Sequence, residues 1–481
     1  MTPRLFAPLL AALVFAAPAM AAETATTHHQ ATVHGRALGY TVTVGEIPLM
    51  GADSKSVVGL GTATTYVRDG ADTATRPLIF VFNGGPGASS STLHLAFGPR
   101  TVTTPGPGAP QAMTDNPDTL LEAADLVFID PVGTGYSRPA AGADPSSLWS
   151  VTGDARSVAV IIRSEIARLK RADSPIYLMG ESYGGARAAV LLHEAKDLHF
   201  KGLILLSPGL DFSGADAAPG NDQPYTLDIP SYAAVAWSFG RGPKVASAAQ
   251  AFAAGEAVAG GDYLLALRKG DALPAGERDR IAAELAPMIG VSPRQLADHD
   301  LRLDVEDFRR ALLPDRGQII GRLDGRTVGA ISVFDHAHPP GDDPSMIDTA
   351  SHPSPRQTID HYYRSELAFP APTDTYRTLN LDVNSKWRWE IEGGDRFYLD
   401  TAPFIGEALR QDPKLKVYAA GGLFDLATPF GATTYALNHM GAPAGRVRIV
   451  PFATGHMIED NPAALHQLSV DIAGFVAEPA R

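Results

Sequence analysis

The chain contains no cysteine, which excludes disulfides, thiolate metal sites, a cysteine nucleophile and a lipidated cysteine. It has no basic run either: 40 Lys and Arg stand against 53 Asp and Glu, a formal charge of −13, so nucleic acid is not an expected partner. Beyond the N-terminal segment there is no apolar stretch long enough to span a bilayer. These absences leave a fold that must be held by its core alone.

What is present begins with MTPRLFAPLLAALVFAAPAMAAE, where Arg4 precedes the apolar run Leu5 to Ala17 and Ala19-Met20-Ala21 offers a small-x-small cleavage site. Residues 1–21 therefore read as a leader removed on export to the periplasm or the medium. Pro8 and Pro18 bracket a core too short for an anchor, so no membrane contact is expected after cleavage. The segment with His28, His29 and His34 reads as a flexible lead-in rather than a metal site.

Residues 31–82 alternate in period two, as in GYTVTV (39–44) and TATTYV (62–67), which predicts antiparallel strands. From Pro77 short apolar runs follow that suit strands covered on both faces: 77–83, 125–130, 175–180, 201–207, 415–422 and 445–452. Helical patterns lie between them. In 153–171, Val158, Ile161, Ile162, Ile166 and Leu169 share a face and Asp154 sits near the N-terminal end; in 461–476, Asn461 is a cap, Pro462 the first helical residue, and Leu465, Leu468, Ile472 and Phe475 face inward. Alternating strands and helices predict an α/β fold with a mostly parallel central sheet. Its core is read in two parts, 22–210 and 376–481, separated by an inserted, largely helical cap at 211–375 over the open end of the sheet.

Gly180-Glu181-Ser182-Tyr183-Gly184 matches G-x-S-x-G, in which the glycines make room for a strand-to-helix turn that exposes a serine hydroxyl. A serine needs a neighbouring base, and the charge its attack creates needs preorganised N–H donors. The acid is read as Asp425 in AAGGLFDLATPFG, with Asp382 and Asp395 as runners-up, and the base as His456 in PFATGHMIEDNP. Both fall just past predicted strands, in the Ser, Asp, His chain order expected of this turn. The loop Asn83-Gly84-Gly85-Pro86-Gly87 follows a buried strand and offers the Gly85 N–H as one oxyanion donor; Tyr183, after the serine, offers the second. Ser182 would attack a carbonyl, His456 would take and return the proton, and Asp425 would orient the imidazole: acyl transfer to water. Asp335-His336-Ala337-His338 has no third ligand at a recognised spacing and reads as a solvated cap loop, so neither metal nor cofactor is expected.

These residues resemble the serine carboxypeptidases, and within them the bacterial exported branch. The resemblance runs through NGGPGASS (83–90), DPVGTGYS (130–137), GESYGG (180–185), GLFDLATPF (422–430) and GHMIEDNP (455–462), and extends from about residue 40 to the end. It implies an α/β-hydrolase core and an exopeptidase releasing C-terminal residues, with Ser182, Asp425 and His456 as triad and Gly85 and Tyr183 as oxyanion donors. It also implies that Asn83, Gly84 and Glu181 bind the free carboxylate of the peptide, and that Glu181 does so while protonated, which favours acid. Compared with the plant and fungal pattern, Val81 replaces a tryptophan, Ala96 replaces a second glutamate, and the disulfides are missing. That thins the carboxylate network and makes Arg187 or Arg100 candidate partners, since a guanidinium grips a carboxylate in two-pronged fashion. Two other readings stay open: an esterase or acyltransferase using the same triad, and a catalytically silent binding protein.

Overall fold

Strand residues of the central sheet alternate in the core they feed. Leu78, Phe80 and Phe82 enter one apolar cluster while Ile79 and Val81 enter another, and Val127 and Ile129 part from Leu126 and Phe128 in the same way. A strand buried on both faces must be apolar throughout, which is why these segments read as continuous runs. The computed structural model describes residues 22–51, 53–103, 110–214, 217–218, 220–331, 343–346, 355–373, 375–392 and 399–478.

Among the described residues ten strands form the main sheet: β1 (Thr24–Val33), β2 (Arg36–Met50), β3 (Val57–Arg68), β4 (Leu78–Phe82), β5 (Asp125–Asp130), β6 (Arg138–Pro139), β7 (Ile176–Glu181), β8 (Phe200–Leu206), β9 (Lys416–Gly422) and β10 (Val447–Phe452). Their order is β1-β2-β3-β5-β4-β7-β8-β9-β10, with the two-residue β6 beside β3. β1 to β3 are antiparallel, β3 meets β5 antiparallel, and from β5 to β10 every pairing is parallel. The α/β expectation is met and all six runs form strands, but β10 at the sheet edge is not covered on both faces: of its residues only Phe452 is buried.

One expectation is overturned. Residues 24–33 are not a flexible lead-in but the edge strand β1, paired with β2 along its whole length from Thr24↔Gly45 to Val33↔Arg36. The physical reason is local: His34 and Gly35 both take positive φ (49° and 75°), the two-residue turn whose twist suits a hairpin, and Thr-rich alternation supplies the strand. His29 stacks on Tyr40 across the pair at 5.6 Å.

The helices that matter to the site are α1 (Ser91–Phe97), α2 (Val151–Leu169), α3 (Tyr183–Glu194), α4 (Gln223–Ser238), α5 (Ala248–Val258), α6 (Ala275–Ile289), α7 (Val305–Ala311), α8 (Ala402–Gln411) and α9 (Pro462–Ala477). α2 starts at the Ser150 cap, whose hydroxyl accepts from Gly153 N at 3.1 Å, and buries Val158, Ile161 and Ile162. With α3 and α8 it covers one face. α9, capped at its start by Asn461, buries Leu468, Ile472 and Phe475 on the other. Between β8 and β9, helices α4 to α7 share a third apolar cluster with Leu423, Phe424 and Phe430. Residues 356–369, in the same stretch of chain, pack elsewhere: Ile359, Tyr362 and Tyr363 join Tyr66 and Phe128 on the α9 face of the sheet.

Candidate active site

β7 ends at Glu181 and α3 starts at Tyr183, so one residue makes the turn. That residue, Ser182, is held at φ 58°, ψ −127°, a left-handed conformation costly for a side chain. The turn persists because its surroundings determine it: Ser182 N donates to Leu206 O at 2.9 Å, and Gly185 N and Gly209 N donate to Ser182 O at 2.9 and 3.1 Å. The flanking glycine is obligatory, since a Cβ on Gly180 would come within 2.2 Å of Gly184 O. On the β4 side a Cβ on Gly84 would come within 2.4 Å of Tyr183 N, which measures how closely the Asn83–Gly87 loop lies against the N-terminus of α3.

His456, on the loop after β10, and Asp425, on the loop after β9, meet through His456 Nδ1 and Asp425 Oδ2 at 2.8 Å. Asp425 is fully buried and accepts from Ala427 N at 2.7 Å and Thr428 N at 3.0 Å on Oδ1. Burial works against its charge, but His456 and these hydrogen bonds prevail and hold its pKa below the ordinary value. Burial likewise disfavours the imidazolium of His456, but the Asp425 carboxylate outweighs it and raises the pKa. The loop is pinned from outside the sheet, where His456 N donates to Leu323 O at 2.6 Å. Among the runners-up, Asp382 lies exposed on the short helix Leu381–Ser385, and Asp395 lies outside the described residues.

Ser182 and His456 line one cleft of about 1260 Å³ together with Asn83, Gly84, Gly85, Glu181 and Tyr183, so the residues read from scattered motifs are gathered in one place. Its sides carry Phe212, Leu379, Leu381 and Trp389; the last three are 45, 49 and 40 % exposed. Glu181 Oε1 accepts from Asn83 Nδ2 at 3.1 Å, and the second N–H of that amide goes to Thr92 Oγ1. Burial first, and then the carboxylate of Glu459, lift the Glu181 pKa well above the ordinary value.

Arg187 does not reach the cleft. It is completely buried, its Nε bonds Asp154 Oδ2 at 2.6 Å, its Nη1 bonds the Asn83 carbonyl, and the guanidinium lies 5.3 and 5.2 Å from the ring centres of Phe82 and Tyr183. The expected carboxylate partner for substrate is instead spent on an internal carboxylate, because α2 brings Asp154 against this face of α3. Arg100 is taken up similarly, by Asp115 at 2.6 Å and Glu366 at 3.4 Å.

Two residues went unread in the sequence. Thr428 places its hydroxyl 2.7 Å from Asp425 Oδ2, 2.9 Å from Ser207 O and 3.1 Å from His456 Nδ1; a threonine three residues past the chosen acid was the available signal. Glu459 sits three residues past His456, a buried carboxyl inside a motif already quoted. Among the described residues no group of three or more His, Cys, Asp or Glu could hold a metal, and Asp335 to His338 lie outside them. Among the described residues no helix is long and apolar enough to cross a membrane.

Residues 65–207 match the family model of serine carboxypeptidases. Retinoid-inducible serine carboxypeptidase of Homo sapiens is 35% identical over 116 residues, 24% of this chain and 24% of that protein. Carboxypeptidase Y homolog A of Sclerotinia sclerotiorum is 30% identical over 120 residues, 24% of this chain and 20% of the relative. Serine carboxypeptidase-like 16 of Arabidopsis thaliana is 28% identical over 162 residues, 31% and 36% respectively. The matches thus span only a fifth to about a third of these relatives. Over the whole fold, the crystal structure of Kex1(delta)p, a prohormone-processing carboxypeptidase from Saccharomyces cerevisiae, aligns with 91% of this chain and 90% of its own at a TM-score of 0.51 and 14% identity. The fold is that of the α/β-hydrolases.

Proposed function

We propose that this chain, whose segment 65–207 is that of the serine carboxypeptidase family, is a serine-type carboxypeptidase releasing C-terminal residues from peptides and proteins. The observation that carries the reading is a single cleft lined together by Ser182, by His456 with its Asp425 support, and by Glu181, held by Asn83. Ser182 Oγ attacks the carbonyl of the last peptide bond while its proton passes to His456, whose tautomer Asp425 holds. The oxyanion is drawn to the N–H groups of Gly85 and Tyr183. The terminal residue leaves as an amine with the proton from His456, and water, activated by the same imidazole, frees the acyl group. Asn83, Gly84 and Glu181 face the substrate's terminal carboxylate, and the apolar wall with Trp389 and Leu379 takes adjoining side chains.

The stretch 211–375, apart from 356–369 on the α9 face of the sheet, serves as the cap that shapes this cleft, to which it contributes Phe212, Arg322, Leu323 and Met346. Residues 1–21 fit a leader removed on export to the periplasm or medium, in keeping with the bacterial exported branch. Sequencing of the secreted protein is expected to start at Ala22; a retained Met1 refutes export by this route.

The peptidase reading is tested with a peptide and its C-terminally amidated twin: the free acid is expected to be cleaved with the higher kcat/KM. Equal rates, or turnover of esters alone, favour the second reading, an esterase or acyltransferase with the same triad, for which the departures at Val81 and Ala96 speak. A fluorophosphonate probe is expected to label the wild type and not Ser182→Ala; an unlabelled wild type would leave only a silent binding protein.

A further inference from the structure

Only one oxygen of the Glu181 carboxyl has a donor, the Asn83 amide on Oε1 at 3.1 Å. Oε2 is out of solvent and receives no hydrogen bond from any described N–H or O–H. The same holds for both carboxyl oxygens of Glu459, on the short turn Ile458–Asp460 that follows His456. Glu459 is partly exposed as a residue, but both its carboxyl oxygens are out of solvent, and its charge acts on Glu181. The charged groups that act on the pair are His456 and Asp460, which in turn feel Arg322 and Asp324, and none of them donates a hydrogen bond to these orphaned oxygens. Two carboxylates out of water repel, and they can hydrogen-bond to each other only when one carries a proton.

We propose that Glu459 holds the Glu181 carboxyl in its protonated form, so that the cleft wall beside Ser182 offers an O–H donor instead of a second negative charge where the substrate's terminal carboxylate docks. Glu459 is a positioning residue: it acts through Glu181 and does not itself line the cleft. Glu181 keeps the proton because, beyond burial, the Glu459 carboxylate raises its pKa against the opposing pull of the Asn83 amide, while accepting from Glu181 lowers that of Glu459. Burial raises both carboxyls, and the Glu459 charge raises Glu181 further. As pH rises the shared proton is lost, the pair becomes doubly charged, and an anionic substrate end is repelled. The identity of that anion rests on the carboxypeptidase reading; the shared proton does not.

The test follows the ratio of kcat/KM for a free-acid peptide to that of its amidated twin from about pH 4 to about pH 8 in wild type, Glu459→Gln and Glu459→Ala. In wild type the ratio falls with rising pH. In both variants Glu181 ionises sooner, so the midpoint of the fall moves down by about one unit and the ratio near neutrality drops on the order of 10-fold. A merely structural role lowers both substrates together and leaves the midpoint in place; that outcome, or a midpoint moved upward, overturns the proposal. The proton is also read without substrate, from the infrared C=O band of protonated carboxyls, which is expected to titrate at lower pH in Glu459→Gln than in wild type. Identical titrations overturn the proposal. If the wild type itself shows no preference for the free acid, the carboxypeptidase reading fails, and the infrared comparison alone decides whether the proton is shared.

Discussion

At the scale of single residues, the proposed mechanism makes the titration of His456 the acid limb of the reaction. Its pKa is raised because the Asp425 carboxylate outweighs burial, so the neutral imidazole that accepts the Ser182 proton appears only as pH rises through that elevated value. Asp425→Asn removes the charge and lets the wrong tautomer form. The expected result is a kcat lower by about 10³ to 10⁴-fold and an acid limb displaced to lower pH, read from a pH profile of kcat. A limb that stays put would show that some other carboxylate supports the imidazole. Thr428→Val keeps the shape but takes away the hydroxyl near both partners, and a milder loss of about 10-fold is expected in the same assay.

At the scale of elements, α2 and α3 are locked by a buried ion pair that also grips the loop after β4. Burial raises the Asp154 pKa and Arg187 pulls it back, so the carboxylate depends on its partner. Removing Arg187 alone strands that charge, and the expected cost is about 3 to 5 kcal/mol for Arg187→Leu, measured by denaturant unfolding. The double variant Arg187→Leu with Asp154→Leu is expected to recover much of this, since the uncompensated charge goes too. Arg187→Leu that unfolded like wild type would refute a structural role for the pair. These elements also show where reading a sequence stops. α2, α3 and α9 were legible because apolar spacing, caps and glycines act within a turn or two. Arg187 was misassigned because its place one turn past Ser182 does not say which helix will meet its side chain. β1 was missed because its polar alternation carries no core of its own until β2 pairs with it.

At the scale of the whole molecule, stability falls to apolar packing on the two faces of the sheet and in the α4–α7 cluster, with no crosslink to help. Acids buried without a hydrogen-bonded cation then set the pH response. Asp228 on α4 is buried, with Oδ1 lacking a donor and Oδ2 3.4 Å from the Tyr232 hydroxyl, and burial pushes its pKa up to about 8. A raised pKa means that the native state binds the proton more tightly than the unfolded chain. The contribution is fully present below the unfolded value, 3.8, and is lost as pH rises through about 8. The Glu181 and Glu459 pair has the same sign. Thermal unfolding is therefore expected to show a Tm that declines from mildly acid to alkaline pH, and Asp228→Asn, which is neutral throughout, is expected to flatten the decline and melt above wild type at alkaline pH. A variant curve parallel to wild type would assign the decline to other groups.

The sequence by itself determined the order of the sheet strands from β4 onward, the two-residue β6 apart, and of the helices α2 and α9, the Ser182 turn and the choice of Asp425 and His456 as candidate acid and base, because each follows from patterns that act over a few neighbouring residues: apolar period, glycine at a crowded turn, chemistry at a strand end. Tertiary structure alone decided which charges meet. It paired Asp154 with Arg187, set Glu459 against Glu181 and placed Leu323 over His456, since the field at a buried group comes from whatever the fold packs around it, and those neighbours are remote in the chain.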